Sequence, residues 1–160
     1  MTPLWDWLET RPLAVAIAEG WGFPLAESLH VLGATFVMGS ILMVDLRLLG
    51  LAARRYPVSQ ILREVVPWTL AGFALAVVAG FALFVTQPNR YMANRAFQIK
   101  LILLVLAVGN MLVFHFWSKR RIADWDTTDA TGRTARLAGA CSLFLWAGVM
   151  LAGRWVGHLL

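Results

Sequence analysis

The stretch Val66–Gln87, VPWTLAGFALAVVAGFALFVTQ, runs for 22 residues without an ionisable side chain, and it decides the fold. A hydrocarbon core about 30 Å thick takes roughly 20 helical residues at about 1.5 Å each. Lipid offers the backbone no hydrogen bonds, so a segment of this kind predicts a membrane-spanning α-helix. Three more stretches read the same way: Pro24–Gly50, Phe97–Trp117 and Leu137–Val156. The fold class predicted is therefore all-α, a transmembrane four-helix bundle forming one integral membrane domain over residues 1–160. Composition agrees, because 59% of the 160 residues are hydrophobic and 14% charged, too few to clothe a soluble surface.

The segment before the first span differs. Trp5, Trp7, Leu8, Leu13, Val15 and Ile17 alternate with Asp6, Glu9, Arg11 and Glu19, which predicts an amphipathic interfacial helix over about residues 2–20. Acids and tryptophans come first here, the reverse of a cleavable signal peptide, so the segment is expected to be retained.

The formal charge of +5 does not signal a nucleic-acid partner, because the basic residues fall in short clusters between apolar runs. Arg47, Arg54, Arg55 and Arg63 follow the first span, and Lys119, Arg120, Arg121, Arg133 and Arg136 follow the third, nine on one side. Arg11, Arg90, Arg95, Lys100 and Arg154 make five on the other. The positive-inside rule then predicts a multi-pass protein of the bacterial inner (cytoplasmic) membrane with both termini on the non-cytoplasmic side. Cys141 is the sole cysteine, which excludes an internal disulfide or a CxxC metal site.

Ionisable residues inside the spans carry the functional signal, since each costs about 2.5–3.5 kcal/mol at a helix centre unless partnered. At about 100° per residue Glu27 and Asp45 share one face of the first span, with His30 about 60° away. Lys100 and His115 stand in the same relation on the third span, and Arg154 and His158 lie near the end of the fourth. The first and third spans run in parallel, so Glu27, His30, Lys100, Arg154 and His158 form one layer. Asp45, Arg47 and His115 form a second. His30 and His115 are then roughly 20 Å apart along the normal and are not two axial ligands of one haem. Any histidine partner of His30 within the chain is expected to be His158.

Imidazole in a water-poor helix bundle points to haem iron, with the second ring nitrogen oriented by a carboxylate or carbonyl. His30, His115 and His158 are the candidate iron ligands, and Lys100, Arg154 and Arg47 the candidate partners of haem b propionates. Glu27, one turn before His30, is the candidate catalytic or proton-transfer group. Small residues recur at Gly72, Ala76 and Gly80, a stripe that predicts close helix packing within or between subunits. Gly33, Gly39, Gly139, Gly148 and Gly153 are read as helix contacts, with room for a flat porphyrin as the alternative. Four helices barely enclose a porphyrin, so homo-oligomerisation is expected.

The run Phe23-Pro24-Leu25-Ala26-Glu27-Ser28-Leu29-His30-Val31-Leu32-Gly33, followed by Asp45-Leu46-Arg47-Leu48-Leu49-Gly50 and by Phe97-Gln98-Ile99-Lys100, resembles a family of small four-span bacterial membrane proteins known as a domain of unknown function. More distantly, a first-span His, an Arg-Leu at its far end and a Lys opening the third span are similar to haem-associated four-helix protoporphyrinogen oxidases and to the membrane domain of copper-resistance proteins. That likeness implies that His30 is a haem ligand or essential catalytic histidine, with Lys100 as its partner. Three readings follow. One is a b-type cytochrome exchanging electrons with a quinone or periplasmic protein. Another is an oxidase acting on a porphyrin or quinol through Glu27 and His30. The last is a structural or transport subunit held by a buried Glu27, Lys100 and Arg154 network.

Overall fold

The computed structural model describes residues 3–53, 55–118 and 132–159, and these are helical with short connections. Arg54, Lys119, Arg120 and Arg121, which figure in the charge argument, lie outside the described residues. The helices are α1 (Pro3–Glu9), α2 (Pro12–Ala18), α3 (Gly22–Leu48), α4 (Val58–Thr86), α5 (Pro88–Ala93), α6 (Arg95–Ser118) and α7 (Arg133–Leu159). Four of them, α3, α4, α6 and α7, are long and apolar enough to cross a membrane. Large side chains such as Val78, Val105, Leu137 and Phe144 point outward, as the lipid-facing surface of a spanning bundle requires. The chain is a multi-pass membrane protein.

The N-terminal segment is two short helices and not one. Pro12 supplies no amide hydrogen and drives Arg11 into an extended conformation, with φ −70° and ψ 143°, so the helix stops and restarts. Arg11 folds back over the Trp7 ring, 3.5 Å from its centroid. The first piece docks through an edge-on contact of Trp5 with Phe84 and a hydrogen bond from Asn89 Nδ2 to Asp6 Oδ1.

The second span also differs from expectation. It begins at Val58, not Val66, because Arg63 and Glu64 break the hydropathy without breaking the helix. Its first turns are anchored by Val58 and Ile61, and Val58 packs with Leu48 and Ala135 at the end of the bundle away from the termini. Pro67 is accommodated within the same helix.

Helix α3 packs along α4 and α7, and α7 along α6, whereas the backbones of α4 and α6 approach one another only marginally among the described residues. The bundle thus has one loose seam. Val37, Ile41, Ala107, Trp146 and Val149 form its central core, with Phe73 meeting Trp146 edge to face. At the end carrying both termini, Tyr91, Ala96 and Val156 pack with Phe84 and Phe97. Asn94 ties this layer together. Its Oδ1 accepts from the Ala96 and Phe97 amides at the start of α6, and its Nδ2 donates to the Val156 carbonyl of α7.

Candidate functional site

The small-residue stripe of α4 explains where His30 goes. A Cβ on Gly33 of α3 would lie 2.8 Å from the Ala76 nitrogen and the Gly72 carbonyl oxygen, so the two backbones touch there. One turn nearer the termini, a Cβ on Gly80 would lie 2.9 Å from His30 Nδ1 and Cε1. The stripe is therefore filled within the chain, first by the Gly33 backbone and then by an imidazole. In a helix the Ala76 carbonyl pairs with the amide of Gly80, four residues on. With no side chain at that position, the ring reaches the same oxygen, and His30 Nδ1 lies 2.6 Å from it.

That contact fixes the tautomer. A carbonyl only accepts, so Nδ1 carries the proton and donates, which leaves the lone pair on Nε2. Lys100 Nζ from α6 meets Nε2 at 3.2 Å and donates to it. The lysine stem crosses α7 where a Cβ on Gly153 would stand 3.6 Å from Cδ, Cε and Nζ. One histidine and one lysine thus link all four spanning helices in the layer nearest the termini. Lys100 has no carboxylate within ion-pairing distance among the described residues, and the imidazole is its single described partner.

The other expected site residues are placed as follows. Glu27 is exposed, one turn before His30, and its charge reaches the buried Tyr91 hydroxyl of α5. Burial first, and that carboxylate second, push the Tyr91 phenol above its usual value of 10.0. Arg154 is exposed, and His158 is exposed beside the Trp155 ring. The three-way pairing of Glu27, Lys100 and Arg154 is thus not formed among the described residues, because Lys100 turns inward to His30. His115 is exposed at the far end of α6 against Phe116, and neither it nor His158 is brought to His30. Arg47 is buried, and its Nε donates to the Tyr56 carbonyl in the connection after α3.

The same geometry bears on haem. An imidazole held at Nδ1 by a carbonyl has the orientation of a metal ligand. Its Nε2, however, is engaged by Lys100, and Gly33 and Gly72 are spent on helix contact. Iron would find a coordination position only if Lys100 withdrew. No group of three or more His, Cys, Asp or Glu side chains converges among the described residues.

The sequence places Asp45 on the same face of the first span as Glu27 but does not show its surroundings. Asp45 lines a cavity of about 80 Å³ with Thr69 of α4, Asn110 of α6 and Ser142 of α7, near the end of the bundle opposite the His30–Lys100 pair. The polar residues inside the third and fourth apolar runs, Asn110 and Ser142, were the available signal.

Residues 4–159 match a family described as a family of unknown function (DUF6644), and the chain belongs to it. No curated protein and no solved structure matches the chain.

Proposed function

We propose that this protein is a membrane-embedded redox subunit in which the His30–Lys100 pair binds a quinone-type headgroup and exchanges protons with it. The observation that carries the reading is a lysine amine inside a helix bundle with a neutral imidazole nitrogen as its one described partner. A half-buried donor of this kind is left short of acceptors, and a quinone carbonyl supplies one without adding a second charge to the interior. Reduction of a quinone takes two electrons and two protons. The electrons come from a redox partner, and Lys100 and the imidazole are the groups on hand to deliver protons. Exposed Glu27 lies one turn above His30, a position suited to restoring them from the aqueous side. The loose seam between α4 and α6 offers a lateral route from the bilayer. With nine basic residues assigned to the cytoplasmic side, the pair belongs to the outer half of the bacterial inner membrane.

A second reading is favoured by the bond from His30 Nδ1 to the Ala76 carbonyl, which leaves Nε2 as a ligating nitrogen. Here the protein is a b-type cytochrome, with haem b on His30 and Lys100 moved aside to a propionate. A neighbouring copy would then supply a further ligand to the iron through His158, the histidine in the same layer as His30.

Purified protein in detergent separates the two. Under the quinone reading, an azido-quinone photolabels peptides of α3 and α6, excess short-chain quinone competes, and Lys100→Met loses the label. Labelling that ignores Lys100→Met overturns that reading. A Soret and α-band on reduction that vanish in His30→Ala support the haem reading instead. A colourless preparation that takes up no added haem defeats it.

A further inference from the structure

The second polar site lies about 15 residues along α3 from His30, roughly 22 Å at the helical rise, and does not depend on the quinone reading. Asp45 is 4% exposed, and its Oδ2 has no hydrogen-bond partner among the described residues. The cavity it lines is otherwise apolar apart from Thr69, Asn110 and Ser142.

Polar side chains around it have other described partners. Asn110 Nδ2 donates to the Ala138 carbonyl at 3.1 Å. The Thr69 hydroxyl has Ser40 Oγ at 2.8 Å and the Val65 carbonyl at 3.0 Å. Ser142 lines the same cavity as the Asp45 carboxyl. Arg47, two residues on, sends its Nε to the Tyr56 carbonyl. Thr69, Asn110 and Ser142 each keep oxygen lone pairs for a ligand, and among the described residues no donor, those of Arg47 included, is placed on Asp45 Oδ2. A buried carboxylate oxygen among acceptors calls for a donor or a cation, because leaving it bare costs several kcal/mol.

We propose that Asp45, Ser142 and Asn110 form a binding site for a small monovalent cation of the sodium class. Hard oxygen donors select alkali or alkaline-earth ions over transition metals. A single carboxylate neutralises one positive charge, and a divalent ion would leave net charge in a low-dielectric interior. The cavity of about 80 Å³ has room for an ion with one or two of its waters, each occupying about 30 Å³ in the liquid. Its position near the last turn of α3 adds the negative end of the helix dipole.

Trp146 lines the same cavity and reports on it. Purified protein in detergent is titrated with NaCl replacing choline chloride at constant ionic strength, reading tryptophan fluorescence and thermal unfolding. A saturable, sodium-specific fluorescence change is expected, with a Tm that rises with sodium. Asp45→Asn abolishes both responses, and Ser142→Ala raises the half-saturating concentration about tenfold. The proposal is overturned if sodium and choline act alike on the wild type, or if Asp45→Asn responds as the wild type does. A response to acid without one to sodium also overturns it, assigning a proton to the carboxyl. Should Asp45→Asn fail to fold, an unchanged midpoint in Ser142→Ala decides against the site.

Discussion

Replacing Gly80 by alanine tests the seating of the His30 ring against α4. The added Cβ lies 2.9 Å from both Nδ1 and Cε1. Carbon contacts settle at about 3.5–4.0 Å, so the ring must retreat by roughly 0.5–1 Å. It cannot swing freely, because one nitrogen is bound to the Ala76 carbonyl and the other to Lys100. Overpacking of this kind costs about 1–3 kcal/mol, and weakening the 2.6 Å hydrogen bond adds about 1 kcal/mol. Alanine's helical preference over glycine returns about 0.5–1 kcal/mol. The net is a loss of about 1–3.5 kcal/mol, or roughly 2–14 °C in Tm at about 2–4 °C per kcal/mol. Gly109→Ala is the control, since its Cβ would meet nothing within 4 Å among the described residues, and it is expected to be neutral or slightly stabilising. Thermal unfolding in detergent, with azido-quinone labelling alongside, reads both effects. Equal Tm and equal labelling in the two variants would refute the reasoning, because the ring would then not rest on Gly80.

Gly33→Ala should be worse than Gly80→Ala, since its Cβ would strike backbone at 2.8 Å, and separation of α3 from α4 should appear as faster amide exchange along α4. Asn94→Ala removes the cap of α6 and its tie to α7, for an expected loss of about 1–2 kcal/mol measured by chemical or thermal unfolding. The raised pKa of Tyr91 means that folding favours the neutral phenol. Its stabilising contribution is full below pH 10 and is lost as pH rises through the elevated folded value. The tyrosinate absorbance of wild type minus Tyr91→Phe should therefore have its midpoint above pH 10, and a midpoint at or below 10 contradicts the packing described for that ring.

The spans were legible because lipid imposes length and apolarity on a sequence directly. Their ends were less so. Val58–Val65 is helical yet carries Arg63 and Glu64, and hydropathy reads polarity, not backbone hydrogen bonding. Pro12 was visible in the sequence, but the amphipathic pattern on both sides of it continued across the break. Depth counting correctly put His30 and Lys100 in one layer, since rise per residue is fixed. Their direct contact depends on how α6 is rotated about its axis and on Gly153 clearing the lysine stem, which periodicity within one helix does not determine. The Asp45 cavity needed four helices in place, and Asn110 and Ser142 gave only the hint of polar residues in apolar runs.

The loose approach of α4 to α6 divides the bundle into two hairpins joined along α3 and α7. Within the first hairpin the Gly33–Gly72 contact and the tether of the imidazole to Ala76 need nothing from α6 or α7. The second hairpin carries an ammonium near the start of α6 whose described acceptor lies on the first. A change at position 100 is therefore expected to weaken the association of the two hairpins and to leave the contacts inside each one intact.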